Sequence, residues 1–166
     1  MNVSSYAHNG VKKPYSFERL SSPDGEKELG APLERYGAAK LAGIHHTQSL
    51  QRLLINESIY VNCCHPGAVA SDFNRDVVST YGVIAGYFLA LLEKLFFQPV
   101  QVGALTQLYL AASPEVESKS IKGEYLWPVA KIHTSAATSL ARDQAEQKKY
   151  WDWSEGVVTA ALKRVD

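Results

Sequence analysis

The sequence predicts an α/β domain built on a parallel sheet, and three observations carry that expectation. Short β-branched or aromatic runs recur at "NVSS" (Asn2 to Ser5), "SIYVNCC" (Ser58 to Cys64) and "KGEYLWPV" (Lys122 to Val129). Helix-length segments separate them, and strands alternating with helices favour parallel pairing. A chain of 166 residues with 46% hydrophobic content is long and apolar enough for one core.

Each element follows from local pattern. "NVSS" reads as a short strand, and residues 9 to 32, rich in Lys, Glu, Ser, Pro and Gly, read as a long surface connection with a helical turn. From Arg35 to about Leu54, Ala38, Leu41, Ala42 and His45, then Leu50, Leu53 and Leu54, recur at the spacing of an amphipathic helix. "SIYVNCCHPG" is a buried strand ended by Pro66 and Gly67. The segment Tyr81 to Phe97 is apolar but interrupted by Glu93 and Lys94, which makes it helix-like and too broken for a clean membrane span. "PVQVGALTQLYLAASP" carries Pro at a helix start and another just past its end. "KGEYLWPV" gives a third strand, and the alanines and charges after Ser135 give one or two surface helices.

Charge and cysteine usage exclude several classes of function. Seventeen basic and seventeen acidic side chains cancel, so no excess positive charge draws the chain to nucleic acid. The two cysteines, Cys63 and Cys64, are adjacent; on a strand they face opposite ways, so they make neither a disulfide with each other nor, with His65, a metal site. Buried thiols are the expectation. His45 and His46 lack metalloprotease spacing and read as ordinary helix residues, so no metal is expected. The first residues carry no basic stretch followed by an apolar one, which predicts a cytoplasmic setting. The cytosolic face of the endoplasmic reticulum, or a lipid surface reached through residues 81 to 97, is the alternative.

The pair with chemistry in it is Tyr36 and Lys40, in "LERYGAAKLAG". Four residues apart on a helix, they share one face. A phenol with a pKa near 10 is about one part in a thousand ionised at neutral pH, so using it as a base costs roughly 4 kcal/mol, and an adjacent ammonium lowers that cost. Such a tyrosine can exchange a proton with an alcohol or carbonyl oxygen while a hydride moves at carbon. The composition gives about 0.6 Tyr-x-x-x-Lys pairs by chance, so the spacing alone decides nothing.

The order of motifs decides more. "NVSS", then "YGAAK", then "VNCCHPGAVASDF" resembles the second half of a short-chain dehydrogenase/reductase, over roughly residues 1 to 130, and "NVSSYAH" is most similar to the retinol-dehydrogenase-like branch. The resemblance implies the C-terminal half of a Rossmann-type doubly wound sheet, with about three strands. It implies that Ser5 holds the substrate oxygen, that Tyr36 is the proton donor or acceptor, and that Lys40 bonds the nicotinamide ribose and favours the phenolate. Pro66, Gly67, Val69 and Ser71 then face the nicotinamide carboxamide and phosphates, Ser71 standing where Thr is more frequent. The implied cofactor is NADP or NAD, with NADP favoured, and the implied substrate is an alcohol or carbonyl compound with an apolar body.

On this reading residues 1–71 hold the catalytic strand, the Tyr/Lys helix and the nicotinamide loop. Residues 72–98 form a substrate lid lined by Tyr87, Phe88, Leu91, Phe96 and Phe97, residues 99–133 the last helix and strand, and residues 134–166 a tail. No glycine-rich phosphate-binding turn appears, so the adenosine-binding half is expected to be missing. That leaves the first strand with an open edge, which predicts association, including with a second copy. The alternative to an enzyme is a non-catalytic remnant acting as an interaction subunit.

Overall fold

A computed structural model of the protein describes residues 1–17, 31–69, 82–84, 86–87, 97–134 and 137–164. Among them a four-stranded sheet runs in the order β1 (Asn2–Val3), β2 (Cys63–Cys64), β3 (Tyr125–Trp127), β4 (Lys131–Ile132). The first three strands are parallel, with Asn2 opposite Cys63 and Cys63 opposite Tyr125. β4 returns antiparallel to β3, Leu126 opposite Ile132.

Three strands were expected, and the fourth is a correction. It consists of two exposed residues, Lys131 and Ile132. Two residues carry no readable alternation, so only the hairpin that folds them back reveals them as a strand.

Helix α1 (Ala31–Leu53) starts about four residues before the expected Arg35. α2 (Val100–Ala112) begins after Pro99 and gives way to Pro114 and the short α3 (Glu115–Ser118), as the prolines predict. The tail forms two helices, α4 (Ser139–Arg142) and α5 (Gln144–Leu162). Each starts on a side-chain cap: Thr138 Oγ1 accepts from Ala141 N at 3.1 Å, and Asp143 Oδ1 from Ala145 N at 2.8 Å.

The sheet is covered on both faces, and the adjacent cysteines show it. Cys63 packs with Leu41, Ile44, Tyr125, Ala137 and Ala141 on the α1 side. Cys64 packs with Val116, Ile121 and Leu126, backed by Tyr109 and Leu110, on the α2 side. The alternation of a strand sends neighbours to opposite layers. Burial pushes both thiols up, Cys63 to about 12 and Cys64 to about 11, which makes them poor nucleophiles.

The buried stripe of α1 is Ala38, Leu41, Ile44 and His45. Leu53, expected on that stripe, is 65% exposed, and in this last turn of the helix Gln51 takes the inward place instead. Polar ties fix its register: Asn2 Nδ2 donates to Thr47 Oγ1 at 2.8 Å, and Gln51 Oε1 accepts from Val61 N at 2.7 Å. His45 joins three segments. Its Nε2 lies 3.0 Å from the Leu140 carbonyl, which accepts only from a protonated ring nitrogen, so Nδ1 accepts from the Tyr15 hydroxyl at 3.0 Å.

Of the expected lid, Tyr87 is 80% exposed and Phe97 is half-buried. Phe88, Leu91 and Phe96 lie outside the described residues, as do Glu93 and Lys94. Among the described residues no helix is long and apolar enough to cross a membrane.

Candidate active site

The C-terminal ends of parallel strands are where an α/β sheet leaves room for a ligand. At the end of β1 stand Ser4 and Ser5, and they do different work. Ser4 is buried, and its Oγ donates to the Lys40 carbonyl at 2.7 Å. Ser5 is half-buried and caps the 3-10 helix Tyr6–Gly10, its Oγ accepting from Ala7 N at 3.2 Å. His8, fully buried, donates from Nδ1 to the Ser5 carbonyl at 2.7 Å and stands edge-on to Tyr125 at 5.2 Å.

That 3-10 helix lies directly on α1. A Cβ on Gly37 would meet the Ala7 carbonyl oxygen at 2.8 Å and Val11 Cγ2 at 3.3 Å. Only glycine lets the segment after Ser5 approach the helix so closely beside Tyr36. The sequence signal was the "YG" pair itself, which reads as helix-weakening until the contact is seen.

Tyr36 and Lys40 are brought together. The Lys40 ammonium stands 5.4 Å from the Tyr36 ring centroid and donates to the Val3 carbonyl at 3.1 Å. An ammonium has three donors, so the bond to Val3 leaves capacity for a ligand. Between the 3-10 helix and the start of α1 runs a groove of about 640 Å³ bordered by Tyr6, Val11, Leu33 and Gly37.

At the end of β2 the chain turns through His65, Pro66, Gly67, Ala68 and Val69. Gly67 sits at φ +93°, and the Gln98 side chain occupies the place a Cβ would take. Gly67 N donates to His65 Nδ1 at 3.3 Å, and Gln98 Nε2 donates to the Pro66 carbonyl at 2.6 Å. Gln98 N also donates to the Ala68 carbonyl at 2.8 Å, within a parallel bridge that pairs Val69 with Gln98. The Ala68 carbonyl points at Gln98, which in a parallel bridge of this kind leaves Val69's own N–H and C=O pointing the other way. Its side chain packs on α2, where a Cβ on Gly103 would meet Val69 Cγ2 at 2.5 Å. Ser71 lies outside the described residues.

Beyond the expected residues, aromatic and imidazole rings gather around Trp127. Tyr6 lies edge-on to Trp127 at 5.7 Å, His65 is edge-on to Trp127 at 5.9 Å, and His133 lies tilted against the same ring at 5.1 Å. Burial lowers the pKa of His65, and nearby His8 lowers it further. His65 and His133 stand immediately after strands, whereas Tyr6 lies beyond Ser5 and Trp127 ends β3, so no single pattern marks the group. Among the described residues no three His, Cys, Asp or Glu side chains group as a metal site.

A family model described as short chain dehydrogenase matches residues 20–82. A short-chain dehydrogenase/reductase of Pestalotiopsis fici is 27% identical over 146 residues, 82% of this chain and 43% of that protein. Retinol dehydrogenase 14 of Mus musculus is 32% identical over 123 residues, 74% of this chain and 35% of that protein. The chloroplastic short-chain dehydrogenase TIC 32 A of Brassica napus is 29% identical over 160 residues, 93% of this chain and 45% of that protein. The chain thus spans less than half the length of these relatives.

Proposed function

Because the chain belongs to the short-chain dehydrogenase/reductase family, we propose that it carries the proton-transfer and nicotinamide-facing part of an oxidoreductase acting on an alcohol or carbonyl group. NADP or NAD is the cofactor, NADP favoured, and the substrate is a small molecule with an apolar body. The observation that carries this reading is the Lys40 ammonium, 5.4 Å from the Tyr36 ring on the helix that Ser4 ties to the first strand.

The residues present suit a nicotinamide nucleotide. Val69 turns a backbone donor and acceptor away from Gln98, which matches the acceptor and donor of a carboxamide. Lys40 has donors to spare for ribose hydroxyls. When bound, the nicotinamide supplies or accepts the hydride.

The chain's own part is the proton. The Ser5 hydroxyl, held at the end of β1 by its cap and by His8 on its carbonyl, orients the substrate oxygen. Tyr36 gives a proton to that oxygen in reduction and takes one in oxidation. Lys40 steadies the charge on the tyrosine oxygen. The rings of Tyr6, His65 and Trp127 line one side.

A second reading has its own observation. Among the described residues β1 is the terminal strand of the sheet, and its Val3 is 41% exposed. An edge of this kind suits an interaction subunit that pairs with another strand, a second copy included. The test is to give the 166-residue chain NADPH or NADH with a series of apolar aldehydes and ketones and follow loss of reduced nicotinamide. Turnover with stoichiometric alcohol supports the enzyme. Neither turnover nor nucleotide binding, with association into larger species, favours the subunit.

A further inference from the structure

The loop from Pro66 to Val69 is held by a residue far away in sequence that no motif singles out. Gln98 makes two bonds to it with two different groups. Its side-chain amide donates to the Pro66 carbonyl at 2.6 Å, and its main-chain N–H donates to the Ala68 carbonyl at 2.8 Å. Its side chain also fills the space over Gly67, whose φ of +93° no larger residue adopts easily. Pro128 Cγ lies 3.1 Å from the same place, so the β3–β4 turn backs the clamp. From the other side His65 Nδ1 takes the Gly67 N–H at 3.3 Å.

These contacts use the Pro66 carbonyl, the Gly67 N–H and the Ala68 carbonyl. What they leave turned outward is the peptide of Val69, because pairing with Gln98 fixes which backbone groups face inward. Rotating the loop by one residue would exchange those groups.

We infer that Gln98 is a positioning residue, which through its two bonds to the Pro66–Val69 loop presents the Val69 N–H and C=O to a carboxamide. The inference rests on the nicotinamide reading above and adds to it the residue that sets the loop's polarity. Gln98 touches no reacting atom; it acts through Val69. Gln98 also immediately precedes Pro99, the N-cap of α2, so the loop and α2 are tied at one place.

The prediction concerns discrimination as well as affinity. Nicotinamide mononucleotide carries a carboxamide, whereas nicotinic acid mononucleotide carries a carboxylate with no N–H to give the Val69 carbonyl. The intact 166-residue chain is titrated with each, following tryptophan fluorescence, as wild type and as Gln98→Met, which keeps the length and removes the donor. Wild type is expected to prefer the carboxamide about tenfold, and the variant to lose most of that preference, the scale of one hydrogen bond. Amide exchange at residues 67 and 98 is measured in parallel and is expected to quicken about tenfold in the variant.

Equal binding of the two mononucleotides by wild type, or an undiminished preference in Gln98→Met, overturns the positioning role while the nicotinamide reading stands. Failure of wild type to bind either mononucleotide removes the nicotinamide reading and the presentation of Val69 to it together. Amide exchange then shows whether Gln98 holds the loop at all, and unchanged exchange removes that too.

Discussion

Ser4 Oγ donates to the carbonyl of Lys40 across 2.7 Å, so the first of two adjacent serines fastens the strand to the helix that carries the tyrosine and lysine. The second, Ser5, is thereby fixed one residue farther on, at the end of the strand. Under the proposed function, two serines of one motif divide between fold and chemistry. Ser4→Ala is expected to cost about 1 kcal/mol, seen as a fall of roughly 2–4 °C in the thermal midpoint. Ser5→Ala is expected to lower turnover more than stability. Calorimetry and turnover of both variants check the division, and the opposite ranking would refute it.

Gly37→Ala ordinarily strengthens a helix by up to about 1 kcal/mol. Here the new methyl meets a backbone carbonyl, that of Ala7, at 2.8 Å, and a backbone atom cannot step aside as a side chain can. Net destabilisation of about 1–3 kcal/mol is expected in urea unfolding, the scale of overpacking. A stabilised variant would show that the 3-10 helix does not lie on Gly37.

How much of this was legible beforehand varies by element. The tyrosine–lysine helix and the proline-bounded α2 announce themselves because periodicity and punctuation extend over several turns. β4 did not, since Lys131 and Ile132 are exposed and only two residues long. Where Ser5, Tyr36, Lys40 and the Pro66 loop sit, after a strand or on one helix face, was readable from motif order; the chemistry assigned to them is the proposal. Gln98 and Gly37 were not, because their roles are contacts with residues about thirty positions away, which no local pattern encodes.

His45 is fully buried as a neutral ring between Tyr15 and Leu140, and burial lowers its pKa below the ordinary 6.5. His8 and His65 are lowered for the same reason. Each binds a proton more readily unfolded than folded, so stability is full above about pH 6.5 and falls as the pH drops below it toward the folded-state values. Thermal midpoints from pH 8 to pH 5 should decline on the acid side. His45→Gln should be less stable at neutral pH, with a shallower acid decline, and an unchanged slope would remove His45 from the titration.

The thiols of Cys63 and Cys64 are both buried and pushed up, to about 12 and about 11. An aromatic disulfide reagent at pH 8 is expected to label neither in the folded chain and both in denaturant. Labelling without unfolding would mean that the sheet opens at β2.

Lys40→Met removes the ammonium beside Tyr36 and the bond to Val3. It is expected to weaken nucleotide binding by about tenfold or more, the effect of one charged hydrogen bond, with a larger loss of turnover. Lys40→Arg should recover part of the binding and little of the turnover, because a planar fork does not replace a compact ammonium. Equal affinity in wild type and both variants would place Lys40 in the fold alone.

The central claim is that Tyr36 is the proton-transferring group, and Tyr36→Phe tests it with the loss of one oxygen. Oxidation of reduced nicotinamide nucleotide by wild type and variant is compared at saturating aldehyde, with nucleotide affinity measured alongside. The expected result is unchanged affinity with turnover reduced by at least about a hundredfold, as for loss of a general acid. Turnover by Tyr36→Phe equal to that of wild type would contradict it.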